Sequence, residues 1–187
     1  MRIYFFGGSF DPPHKAHKLI YKYCLDYCDQ FIFFPSKCSP GKDRPKVRDI
    51  YRLEMLKQLI DKNDLSKVRI DDFELINGHD KSFTINTIHY LEKKFKNSTI
   101  TMVIGYDQYK NLKNWKDYNE ILASVDIVCF KRGHIVFEKN SSIKFIEFNY
   151  DISSTKIRAE IRNNNISKTF LNSNVYDYII NNDLYKV

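Results

Sequence analysis

Short apolar runs separated by longer stretches of helical periodicity leave this chain few ways to fold. Arg2 to Phe6, Phe31 to Phe34, Ile100 to Ile104 and Ile127 to Phe130 read as buried strands, Ile143 to Phe148 alternates as a strand does, and Val68 to Leu75 is strand-like. Between them, His14 to Cys28 repeats apolar side chains (Leu19, Ile20, Tyr23, Cys24, Tyr27, Cys28) at helical spacing, which predicts one buried helical face. Asp49 to Ile60 does the same with Leu53, Leu56, Leu59 and Ile60; Thr84 to Phe95, Asn119 to Ala123, Ser154 to Arg162 and Ser173 to Asn181 complete the predicted helices. Strands joined through helices pair in parallel by crossover connections. The expected fold is therefore α/β, an open, doubly wound parallel sheet with helices on both faces. A length of 187 residues suits a single domain, 1–187, with one sizeable core. In such a sheet ligands bind beyond the carboxyl ends of the strands, so the loops after Phe6, Phe34, Gly105 and Phe148 are expected to line the site.

Two segments at those ends carry chemistry. Gly7-Gly8-Ser9-Phe10-Asp11-Pro12-Pro13 breaks the first strand with turn formers and leads into His14 and His17. Adjacent glycines let a backbone approach phosphate without a Cβ in the way. His14 and His17, three apart at a helix start, share a face where the helix dipole favours negative charge and could stabilise charge on a transferring phosphoryl group. Read as metal ligands, the same histidines with Asp11 form a weaker alternative, and a chance pair of surface histidines a third. The second segment is Ile152-Ser153-Ser154-Thr155-Lys156-Ile157-Arg158 after the last strand. Hydroxyls at a helix start are ordinary caps, but three of them with Lys156 and Arg158 also make a phosphate cradle. Two such helix starts at one sheet edge could bracket a triphosphate, a geometry suited to adenylyl transfer.

The stretch from Ser36 to Lys46, with Pro40, Gly41, Pro45 and the bases Lys37, Lys42, Arg44 and Lys46, reads as an exposed basic loop. Asn163-Asn164-Asn165 reads as a loop between the last two helices. Lys and Arg number 30 against 23 Asp and Glu, a formal net charge of +7 that favours polyanionic ligands without choosing among nucleic acid, membrane and nucleotide. Cys24, Cys28, Cys38 and Cys129 match no zinc spacing and are expected in the core. Met1 leads directly into a strand with no signal-like apolar segment, so a cytoplasmic location is expected, and no apolar run approaches membrane-spanning length.

Gly8-Ser9-Phe10-Asp11-Pro12 with His14-x-x-His17 resembles the signature of the nucleotidyltransferase superfamily related to class I aminoacyl-tRNA synthetases. Within it the chain is similar to the bacterial nicotinate-nucleotide adenylyltransferases. The likeness runs nearly end to end, through Pro40-x-Lys42, Arg52-x-x-Met55-Leu56, Ser82-Phe83-Thr84 with Thr87, Ile104-Gly105-x-Asp107, Trp115, Lys131-Arg132, Ile152 to Arg158 and the closing Leu184-Tyr185. The resemblance implies a Rossmann-like fold and transfer of the adenylyl group of ATP to nicotinate mononucleotide, with Mg²⁺ accompanying ATP. It implies His14, His17 and Arg158 as catalytic residues, and an ATP site of Gly7, Gly8, Ser9, Phe10, His14, His17, Gly105, Asp107, Ser153, Ser154, Thr155 and Arg158. Asp11, Lys42, Phe83, Thr84 and Trp115 correspond to the mononucleotide site, with Trp115 stacking on the pyridine ring. No protein-bound metal, nucleic-acid partner or membrane contact is implied, and a homo-oligomer remains open. The chain departs from the family pattern in Ser39-Pro40-Gly41-Lys42, where two prolines and a histidine commonly precede the lysine, at Tyr106, usually small, at Phe83, often tyrosine, and at Asn86, often aspartate.

The rival readings differ in what they require. A sister transferase would prefer nicotinamide mononucleotide or phosphopantetheine. A basic nucleic-acid module would use the 13 tyrosines and 14 phenylalanines as stacking platforms, whereas most of them fall on predicted apolar faces. A metal-dependent hydrolase built on His14 and His17 would need water and no ATP.

Overall fold

In the computed structural model, described for residues 1–77, 79–131, 143–163, 165 and 168–186, one six-stranded parallel sheet runs through the molecule. The elements in chain order are β1 (Arg2–Gly8), α1 (Lys15–Cys24), β2 (Gln30–Pro35), α2 (Asp49–Leu59), β3 (Val68–Ile70), α3 (Phe73–Ile76), α4 (Thr84–Lys94), β4 (Thr99–Gly105), α5 (Tyr106–Lys110), α6 (Tyr118–Ser124), β5 (Asp126–Lys131), β6 (Ile143–Glu147), α7 (Ser154–Arg162) and α8 (Ser173–Asn181). Strand order is β3-β2-β1-β4-β5-β6, so the winding direction reverses between β1 and β4, the place where such sheets open a crevice. The predicted doubly wound α/β fold is the observed one.

Side-chain alternation along each strand builds two cores. Phe6, Phe31, Phe33, Val103, Val128 and Phe130 face one side, where Tyr21 and Cys24 of α1, Met55 and Leu56 of α2, Ile157 of α7 and Val175 of α8 cover them. Ile3, Phe5, Ile32, Phe34, Met102, Ile104 and Cys129 face the other, against Ile85, Ile88 and Leu91 of α4 and Ile121 of α6. Register is tight at the centre: Phe5 pairs with Ile32 on one side and Met102 on the other. Both faces of these strands are covered, which is why they read as unbroken apolar runs. Among the described residues no helix is long and apolar enough to cross a membrane.

The structure corrects several boundaries. The face expected for the first helix includes Leu19, but Leu19 is 40% exposed and Tyr27 is also exposed; the helix ends at Cys24, and Ala16, Ile20, Tyr21 and Cys24 are the buried set. The strand expected over Val68 to Leu75 stops at Ile70, because the Asp71 carboxylate accepts the Phe73 N–H and turns the chain into α3. The basic loop is not exposed throughout. Ser36 and Cys38 are buried, Ser36 through its N–H bond to the Gly8 carbonyl, and exposure begins at Pro40. All four cysteines are buried and unpaired, and burial pushes the thiols of Cys24, Cys28 and Cys129 upward. Asn163 and Asn165 lie between α7 and α8 as expected; Asn164 lies outside the described residues, as does Arg132 beside Lys131.

Candidate active site

The chain crosses from β1 into α1 through a turn built for close approach. Phe10 has φ 48° and the Asp11–Pro12 bond is cis. A Cβ at Gly8 would come within 3.1 Å of the Phe10 ring, so any larger residue here requires that ring to give by a few tenths of an ångström. His14 is the extended residue just ahead of α1, and its N–H donates to His17 Nδ1 at 3.1 Å. The two imidazoles stack with centroids 3.8 Å apart, so they share one face as the spacing predicted, with His14 capping the helix from outside its first turn. Burial and the neighbouring His14 lower the His17 pKa well below the usual histidine value. A neutral ring whose Nδ1 accepts must carry its proton on Nε2, which fixes His17 as an N–H donor.

The second helix start meets this turn directly. Ser153 caps α7 by accepting the Lys156 N–H at 3.2 Å, Ser154 Oγ donates to the Pro12 carbonyl at 2.9 Å, and Arg158 Nη1 donates to the Asp11 carbonyl at 2.6 Å. Arg158 Nη2 also donates to Thr155 Oγ1 at 3.2 Å. Segments about 140 residues apart in the chain thus converge, and a cleft of about 610 Å³ takes its walls from both, with His14, His17, Ser153, Ser154, Thr155 and Arg158 alongside Gly7, Gly8, Ser9, Phe10, Gly105 and Asp107. Asp11 lines this cleft but is only 3% exposed, and both of its carboxylate oxygens are engaged: Oδ2 by the Lys46 N–H at 2.7 Å, Oδ1 by the Tyr185 hydroxyl at 2.9 Å.

A second cleft of about 770 Å³ adjoins the first, sharing Gly7, Gly8, Lys42, Asp107 and Gln108. Phe83, Thr84, Trp115 and Lys116 form part of its wall, Thr84 as the first residue of α4 and Trp115 half-buried after the turn 112–114. Lys42 lies on the exposed arch of the loop. The loops after β1, β2 and β4 line the clefts, and that after β6 contributes Tyr150 and Ile152, in accord with the sheet-end expectation.

Three residues that sequence reasoning left without a role hold this framework. Arg52, fully buried, donates from Nη1 to the carbonyls of Ser9 (2.7 Å) and Ser36 (2.8 Å) and from Nη2 to Asp49. Glu74 is buried beside the second cleft and accepts the Thr87 hydroxyl at 2.7 Å; burial raises its pKa against the lowering effect of Thr87 and Ser82. Gln108 accepts the Gly105 N–H at 3.1 Å, fixing the start of α5. An arginine on the apolar face of a predicted helix was the one signal available, since only a buried acceptor set can keep it there. Among the described residues no group of three or more His, Cys, Asp or Glu is disposed to hold a metal ion.

A sequence model of the family described as "Cytidylyltransferase-like" matches residues 5–160. A protein of Aliarcobacter butzleri named "Probable nicotinate-nucleotide adenylyltransferase" is 35% identical over 170 residues, covering 90% of this chain and 92% of that protein. A protein of the same name from Hydrogenobaculum is 33% identical over 190 residues, covering 99% and 98%. The structure of Plasmodium falciparum nicotinic acid mononucleotide adenylyltransferase complexed with NaAD superposes with a TM-score of 0.81 at 20% identity, covering 98% of this chain and 97% of that one. The strand order, the paired helix starts over the β1 crevice and these relatives agree: the chain belongs to the cytidylyltransferase-like family and, within it, to the nicotinate-nucleotide adenylyltransferases.

Proposed function

We propose that the chain transfers the adenylyl group of ATP to nicotinate mononucleotide, giving nicotinate adenine dinucleotide and pyrophosphate in cytosolic NAD biosynthesis. The observation that carries this reading is the meeting of two unlike clefts at Gly7–Gly8, one ringed by imidazoles, hydroxyls and a guanidinium, the other by aromatic side chains and the start of α4. The names of the relatives support it. ATP takes the first cleft, its outer phosphates at the α7 N-terminus with Arg158, its adenosine against Gly105 and Asp107, and its α-phosphate at His14 and His17. The mononucleotide takes the second, its pyridine on Trp115, its carboxylate at Thr84 and the N–H groups opening α4, its phosphate toward Lys42.

With both bound, the mononucleotide phosphate oxygen attacks the α-phosphorus in line and the bond to the bridging oxygen of pyrophosphate breaks. The chain supplies position and charge stabilisation and needs no covalent intermediate. His17 donates its Nε2–H to an α-phosphate oxygen as negative charge gathers there, and its neutral state spares it the loss of a proton during the step. Mg²⁺ would enter with ATP and neutralise charge on its phosphate oxygens.

Pyrophosphate release from ATP, measured in parallel with nicotinate mononucleotide, nicotinamide mononucleotide and phosphopantetheine, tests the reading. The acid mononucleotide is expected to be fastest. Equal or faster turnover of the amide would replace the acceptor, and no release with any of the three would end the proposal.

A further inference from the structure

The chain's last residues return to the catalytic turn. After α8 the backbone passes through two left-handed residues, Asp183 (φ 50°) and Tyr185 (φ 65°), and buries the Tyr185 ring in the core that also holds Phe6 and Phe10. Its hydroxyl donates to Asp11 Oδ1 at 2.9 Å. Burial and the Asp11 carboxylate push its ionisation upward, so it remains a donor. The other carboxylate oxygen, Oδ2, receives the Lys46 N–H at 2.7 Å and lies 3.8 Å from Arg158 Nη1. Lys46 closes the exposed arch 40–46, and the buried chain leading into that arch is fixed separately by the Ser36 N–H on the Gly8 carbonyl. Lys42, on that arch, lines both clefts.

Two donors therefore compete for Oδ2. With the Tyr185 hydroxyl on Oδ1 the carboxylate cannot rotate, and Lys46 keeps its bond. Without that hydroxyl the carboxylate is free to turn toward the Arg158 guanidinium, the stronger partner, and release Lys46. We propose that Tyr185 is a positioning residue acting through Asp11: it latches the 40–46 arch to the β1–α1 turn and so keeps Lys42 in register with the α7 phosphate cradle. This rests on the transfer reading above, in which an arch out of register leaves each substrate bound but seldom aligned for in-line attack.

Tyr185→Phe keeps the ring and removes only the hydroxyl; Asp11→Asn, a second variant, removes the charge that Arg158 and Lys46 share. Hydrogen–deuterium exchange resolved to the Lys46 amide, with steady-state kinetics on ATP and nicotinate mononucleotide, reads both halves of the proposal. In Tyr185→Phe, Lys46 is expected to exchange about tenfold faster while β1 and β4 amides keep their protection. The kcat is expected to fall about tenfold with both KM values within about twofold. Unchanged Lys46 exchange in both variants overturns the latch, whatever the activity. Faster exchange spread over the whole sheet overturns it in favour of plain loss of stability. A local gain in exchange with wild-type kcat overturns the positioning role. Should the wild type itself form no dinucleotide, the transfer reading falls, and the Lys46 exchange still decides whether the latch exists.

Discussion

His17 is held neutral by its surroundings, and that state has consequences at two pH ranges. Its folded pKa lies well below the ordinary value of 6.5, so between the two an unfolded chain binds a proton that the folded chain refuses. This contribution costs nothing above pH 6.5 and destabilises the fold progressively as pH falls beneath it. The melting temperature of the wild type is expected to drop more steeply below pH 6.5 than that of His17→Ala, and parallel curves would contradict the assignment. In the same variant, which removes one donor aimed at developing charge, kcat at pH 7.5 is expected to fall about 10²- to 10³-fold. Circular dichroism should show the fold intact, and turnover near the wild-type rate would remove His17 from the reaction.

The elements are held by a small number of buried polar ties as well as by the two apolar cores. Arg52 joins α2 to the turn after β1 and to the end of β2 through the Ser9 and Ser36 carbonyls. Arg52→Met keeps an unbranched side chain but strands both carbonyls, so urea unfolding is expected to show a loss of about 2–4 kcal/mol. A loss below about 1 kcal/mol would mean that water replaces the guanidinium at little cost. Local signals placed most elements well. The helices expected over about Ser154–Arg162 and about Ser173–Asn181 form there, because Ser153 and Asn172 cap them and both bury an apolar stripe. The Asp71 turn into α3 was not legible, since Phe73 and Leu75 continue the apolar content of β3 and only the side-chain bond to the Phe73 N–H ends the strand.

At the scale of the whole molecule, the proposed transfer depends on two clefts meeting over the point where the winding reverses. The separation of roles is expected to be visible in kinetics. Trp115→Ala, in the second cleft alone, should raise KM for the mononucleotide about tenfold or more and leave KM for ATP within about twofold, from loss of ring stacking. An equal rise in both would place Trp115 outside the pyridine contact.

The sequence by itself determined the fold class and the chemistry at each helix start. Apolar period and turn residues act over a few positions, and the Gly7-to-His17 and Ile152-to-Arg158 segments are each continuous in the chain. Only the tertiary structure decided which groups are spent on holding the molecule together. Asp11, a candidate ligand contact by resemblance, has both oxygens taken by Lys46 and Tyr185, and Arg158 bonds the Asp11 carbonyl across 147 positions. Partners so distant leave no periodic trace, because a long-range hydrogen bond depends on where two loops end in space and not on the spacing of residues within either.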